Sequence, residues 1–150
     1  FAKELGLHPS SPVLGAVHPA FVGEHFDLYY DTQPPAEVLR SWRWYSDRPD
    51  QSRPDLLLCE RATGRVAVMD AKYRISREGR ASEDSLKEVS AYMGLYGLEQ
   101  VSILYPGRDG AETAVSGRDR SILELAIAPA LPDVGAAANA ILATLRVPAF

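Results

Sequence analysis

The chain has one cysteine, Cys59, which excludes an internal disulfide and fits a reducing cytoplasm. Cys59 lies within an apolar run and reads as a small buried hydrophobe. No run is long and apolar enough to span a bilayer, and nothing at the start resembles a signal peptide, so neither membrane insertion nor export is expected. Cationic excess is also missing: 16 Lys and Arg stand against 20 Asp and Glu, a net charge of −4. The domain as a whole therefore does not attract polyanions, and contact with one needs a local patch, a bound cation or another domain. His8, His18 and His25 match no common zinc spacing. A Gly-rich phosphate loop, a nucleophile elbow and internal repeats are absent as well.

What is present is an ordinary globular composition. With 150 residues, 46% hydrophobic and 24% charged, the chain has the length for one core. A single domain over 1–150 is expected, with 1–23 as a poorly patterned lead-in. The chain starts at Phe1 rather than Met, which suggests a piece of a longer protein.

Two stretches carry the chemistry. Arg53-Pro54-Asp55-Leu56-Leu57-Leu58-Cys59-Glu60 is followed by Val66-Ala67-Val68-Met69-Asp70-Ala71-Lys72-Tyr73-Arg74. Both are short, apolar and bounded by polar or turn residues, which favours buried strands. Thr63-Gly64 can make a two-residue turn, because Gly tolerates the positive φ that such turns require. If Ala62 then pairs with Arg65, Asp55 falls opposite Lys72 and Leu57 opposite Asp70. Side chains alternate faces with period two, so Asp55, Asp70 and Lys72 share one face while Glu60 points away.

Two carboxylates held close together repel, and a divalent cation is the usual relief. Mg²⁺ suits them because it takes oxygen ligands, keeps several waters and binds through one or two carboxylates plus substrate phosphate. A lysine beside it can orient water or stabilise developing negative charge, so a phosphodiester is the natural target. Asp-x-Lys alone is weak, since roughly one chain in two of this length carries it by accident. An ion pair across two strands would use the same residues. Placement favours the site, because charges inside apolar strands are costly unless paired or liganded.

The remaining pattern frames this pair. Ala2 to Leu7 reads as a short helical fragment, Phe26 to Tyr30 as a strand ended by a Pro34-Pro35 break, and Leu39 to Tyr45 as a second strand, with a helical turn from Ala36 as the alternative. Ser46 to Arg53 reads as a loop holding a decoy, Arg48-Pro49-Asp50; Asp55 is preferred because a strand follows it directly. After Lys72 the chain turns basic: taken alone, such a run reads as a solvated connection, but beside a phosphodiester site Arg74, Arg77 and Arg80 could contact phosphates. Ser82 caps a helix with Glu83 and Asp84 in its first turn, and Leu86, Val89, Tyr92, Met93 and Tyr96 recur at helical spacing before Gly97 ends it. Glu88 and Tyr92 stand one turn apart. Gln100 to Tyr105 is a strand, Arg108 to Arg120 an exposed hairpin or loop, Ile122 to Ile127 a strand, and Val134 to Leu145 an Ala-rich helix.

A strand with Pro54-Asp55, a strand with Asp70-Ala71-Lys72, a helix and a further strand, in that order, resemble the PD-(D/E)XK nuclease superfamily with its restriction-endonuclease-like fold. Arg-Pro-Asp-Leu-Leu-Leu, Met-Asp-Ala-Lys-Tyr-Arg, the helix from Asp84 to Tyr92 and Ile-Leu-Tyr-Pro-Gly are similar, more narrowly, to the McrC-related bacterial nuclease domains of restriction and defence systems. The resemblance implies an α/β fold with a mixed central sheet flanked by helices. It also implies Mg²⁺, with Mn²⁺ as a substitute, bound by Asp55, Asp70 and the Ala71 carbonyl, and Lys72 assisting the attacking water. Many relatives carry Gln-x-x-x-Tyr on the following helix; the matching positions here are Glu88, a candidate catalytic or metal-binding acid, and Tyr92, a candidate nucleic-acid contact. Relatives often add an acid from an N-terminal helix, for which Glu24 and Glu37 are available. DNA is the implied substrate, a targeting or NTPase domain or subunit the implied partner, and a homodimer one way to cut both strands. The alternatives are a nuclease-like domain that binds nucleic acid or a protein without cleaving, and a structural domain in which these charges form an ion-pair network.

Overall fold

The computed structural model of the chain describes residues 2–3, 5–11, 18–31, 53–72, 80–106, 110–116, 120–127, 139 and 142–143. Among them, eight strands form one sheet: β1 (His8–Pro9), β2 (Phe21–Val22), β3 (Phe26–Tyr30), β4 (Leu56–Glu60), β5 (Val66–Ala71), β6 (Gln100–Pro106), β7 (Gly110–Ser116) and β8 (Ser121–Ile127). Their order across the sheet is β1-β2-β3-β4-β5-β6-β8-β7. Neighbours from β1 to β5 are antiparallel, β5–β6 and β6–β8 are parallel, and β7 returns antiparallel to β8. A parallel step needs a crossover, and helix α1 (Glu83–Tyr96) supplies the one between β5 and β6. This α/β arrangement with a mixed sheet is compatible with a restriction-endonuclease-like core.

Helix α1 has the ends its sequence calls for. The Ser82 hydroxyl accepts from the Ser85 N–H, and Gly97 closes the helix with a left-handed φ of 61°. Val89, Tyr92 and Met93 bury their side chains against Leu57, Val68, Val101, Ile103 and Ile122. The opposite face buries Leu28, Leu58, Ala67, Met69, Leu104 and Leu125, with Leu7 from the N-terminal turns. Covering both faces is why β4, β5 and β6 read as continuous apolar runs rather than alternating ones. Of the helix expected over Val134 to Leu145, Asn139, Leu142 and Ala143 are described; all three are helical, and Leu142 packs on this second face.

Two local expectations fail. Ala2 to Leu7 is not a helical fragment but a pair of turns, with Leu5 and Leu7 both donating to the Ala2 carbonyl. Gly6 has φ 65°, which a right-handed helix does not allow, and the segment leads into β1. The turn between β4 and β5 is longer than two residues: Glu60 N–H donates to Arg65 O at 2.8 Å, so Arg61 to Gly64 form a four-residue loop. Gly64 takes the positive φ, at 69°, and its N–H donates back to Glu60 O. The register therefore moves by two residues, with Leu57 opposite Val68 and Leu56 opposite Met69. An even shift leaves every side chain on its expected face. Its effect is to bring Asp55, one residue beyond the Leu56–Met69 pair, level with Asp70 rather than with Lys72.

Arg108 to Arg120 contains β7, one arm of a hairpin with β8. The expected strand at Leu39 to Tyr45, the Pro34-Pro35 break, Asp50, Glu37, Arg74 and Arg77 lie outside the described residues.

Candidate functional site

Asp55, Asp70 and Lys72 converge where β4 begins and β5 ends, on the face that α1 covers. Pairing at Glu60–Arg65 makes every second pair along the two strands a hydrogen-bonded one, so Ala71 directs its N–H and carbonyl toward Pro54. Proline has no N–H to offer that carbonyl. The Ala71 N–H is met instead by the Asp55 side chain, whose Oδ2 accepts it at 2.7 Å. Pro54, fully buried, thus ends the ladder beside a fixed carboxylate. On its other side, Asp55 is held through its own carbonyl, which accepts from Asp31 N–H at 2.9 Å.

Asp70 is the buried member of the group, with its side chain only 3% exposed. Lys72 Nζ lies 2.5 Å from Asp70 Oδ2, an ammonium–carboxylate contact, and Oδ2 has no other hydrogen-bond partner among the described residues. Burial pushes the Asp70 carboxyl pKa up; Lys72 opposes this, while the charges of Asp55 and Glu88 add to it, and the net direction is upward. Lys72 Nζ also donates to Glu88 Oε2 at 2.7 Å. Burial works against the lysine's charge, but Asp70 and Glu88 together outweigh it and its pKa is raised. Lys72 therefore stays a cation held between two acids.

Among the described residues, no three His, Cys, Asp or Glu side chains gather to hold a metal ion. The donors that are present do fit Mg²⁺, which needs only one or two carboxylates when water and substrate complete its shell. Asp70 Oδ2, buried and met only by the Lys72 ammonium among the described residues, is the kind of oxygen a cation would satisfy. Asp55 and the Ala71 carbonyl are its neighbours.

No protein-family model and no curated protein matches this chain. Among solved structures it is similar to a chain in the tetradecameric assembly of Thermococcus gammatolerans McrB AAA+ hexamers with bound McrC, at 20% identity and a TM-score of 0.46. The match covers 59% of this chain and 23% of that one.

The other sequence candidates fall in different places. Tyr92, expected to contact nucleic acid, is 5% exposed in the core; its hydroxyl donates to the Arg53 carbonyl at 3.2 Å, tying α1 to the segment that enters Asp55. Arg80 is exposed just before α1. Glu60 points away as expected, and its carboxylate accepts from Thr63 Oγ1 in the loop. Glu24 is exposed between β2 and β3, next to the Phe26–Glu60 end of the sheet and so at the far end from Asp55.

Two acids near the site escaped the sequence reading. Asp31 follows β3 with φ 43°, a left-handed conformation that Asp tolerates better than most residues, and anchors Asp55. Residues 32–54 separate the two in sequence, so no local pattern could link them. Glu124 is 3% exposed, and the register sets it in one row with Ile103 and Asp70. The signal for it was available, since it is a lone acid inside the apolar run from Ile122 to Ile127.

No helix among the described residues is long and apolar enough to cross a membrane.

Proposed function

We propose that this domain hydrolyses phosphodiester bonds, with DNA as substrate, using Mg²⁺ or Mn²⁺ held by Asp55, Asp70 and the Ala71 carbonyl. The observation that carries the proposal is Asp70 Oδ2, a buried carboxylate oxygen level with a second carboxylate and met, among the described residues, only by the Lys72 ammonium. The metal, when bound, polarises the phosphate and lowers the pKa of a water. Asp55, fixed through both its side chain and its carbonyl, keeps the site's geometry constant. Lys72 supplies a permanent positive charge that orients the attacking water or stabilises negative charge developing on the phosphate. Arg80, with Arg74 and Arg77 between Lys72 and α1, contacts backbone phosphates and offsets the acidic balance of the domain.

The biological setting that fits is a bacterial restriction or defence system in the cytoplasm, in which a targeting or NTPase partner brings the domain to DNA. A double-strand cut requires two such sites, and a homodimer would provide them. A second reading has its own observation: Lys72 contacts Asp70 and Glu88 together, as a structural ion-pair network at the strand ends would require.

The test is cleavage of supercoiled, linear and single-stranded DNA, and of RNA, with Mg²⁺ or Mn²⁺, by wild type and Lys72→Ala. The nuclease reading expects metal-dependent DNA cleavage that falls by at least about 100-fold in the variant, the usual scale for a lost group that positions water or stabilises charge. Equal cleavage by both proteins defeats the assignment, and no cleavage of any substrate leaves the ion-pair network as the better account.

A further inference from the structure

Lys72 lies between two acids of very different exposure. Its Nζ is 2.5 Å from Asp70 Oδ2 and 2.7 Å from Glu88 Oε2, while the Asp70 side chain is 3% exposed and that of Glu88 51%. Mg²⁺ sits about 2.0–2.1 Å from a ligand oxygen. An ammonium and a divalent cation on the same Oδ2 would place two positive charges within a few ångströms, so Lys72 must give up Asp70 when the cation arrives. Glu88 is the acceptor already in reach, its backbone fixed by α1 and its side chain half exposed. Glutamate presents a full negative charge there.

Resting on the reading that Asp70 takes a divalent cation, we propose that Glu88 is the positioning residue for Lys72: it retains the ammonium in the site as the cation displaces it from Asp70. Glu88 then acts through the lysine and is not itself a ligand. Metal binding and lysine placement become one coupled exchange.

A double-mutant cycle read by calorimetric Mn²⁺ binding tests this on wild type, Glu88→Gln, Lys72→Met and the double variant, with far-UV circular dichroism confirming that each is folded. Glu88→Gln is expected to weaken binding about two- to five-fold, the range of a half-exposed ion pair, because the displaced ammonium loses its acceptor. In the Lys72→Met background, with no ammonium to relocate, the same change has a clearly smaller effect. Glu88→Asp, which keeps the charge, recovers part of the loss. Equal losses in both backgrounds would mean that Glu88 acts on the cation directly, and no loss in either that it is a surface charge; each overturns the proposal while leaving the metal site standing. Wild type that binds no Mn²⁺ overturns the metal site and this exchange together.

Discussion

Replacing Asp70 with Asn in metal-free buffer separates a site built for a cation from a structural ion pair. Asp70 is almost wholly buried, and burial is the largest influence raising its pKa, with Asp55 and Glu88 adding to it against Lys72. A carboxyl whose folded pKa exceeds its unfolded value contributes stability that is full below the ordinary value of 3.8 and is lost as pH rises through the folded value. Near neutral pH the ionised side chain is therefore a net cost. Asparagine keeps the shape and removes the charge. The amide is still a buried polar group, but the charge it removes costs about 1–3 kcal/mol more to bury, and the Lys72 attraction given up offsets up to about 1 kcal/mol of this because that lysine keeps Glu88. The net expectation is a gain of about 1 kcal/mol, or a rise of about 2–4 °C in Tm for a domain of this size. Thermal melts of wild type and Asp70→Asn in EDTA measure it across the acid range. The gain should shrink as pH falls through the folded Asp70 pKa, where the wild-type carboxyl is neutral too. A variant that melts lower than wild type at neutral pH would refute the reasoning and make the Asp70–Lys72 contact a stabilising pair.

Tyr92→Phe removes the hydroxyl that holds the Arg53 carbonyl, and urea unfolding should show a loss of about 0.5–1.5 kcal/mol. The same variant should weaken Mn²⁺ binding, since Arg53 leads directly into Pro54 and Asp55; unchanged binding would show that Asp55 is held without it. Ser82→Ala deletes the cap at the start of α1 and should cost about 1 kcal/mol in the same assay, with no change if the Ser85 N–H finds water instead.

Helix α1 was legible to its last residue because its signals are local: a serine before two acids, an apolar stripe and a terminal glycine all act within one turn of where they stand. The faces of β4 and β5 were legible for a similar reason, as period-two alternation survives any even error in pairing. Register was not, because loop length depends on Glu60 bonding across to Thr63 and on where the positive φ falls, and Thr63-Gly64 is consistent with both a two- and a four-residue loop. The two-residue strands β1 and β2 exist only through pairing, β1 with β2 and β2 with β3, and had no periodicity to detect. At the site, Asp55, Asp70 and Lys72 could be grouped from sequence, and so could Glu88 through its place on the helix after them. The tie from Tyr92 to Arg53 and the anchor from Asp31 to Asp55 could not, since each joins residues brought together only by the completed sheet.

Calorimetric titration of wild type and Asp70→Ala with Mg²⁺ and Mn²⁺ bears most directly on the central claim, that buried Asp70 and its neighbour Asp55 at the strand ends hold a divalent cation. Saturable binding by wild type that disappears in Asp70→Ala is the predicted result. No binding by wild type, or equal binding by the variant, would contradict it.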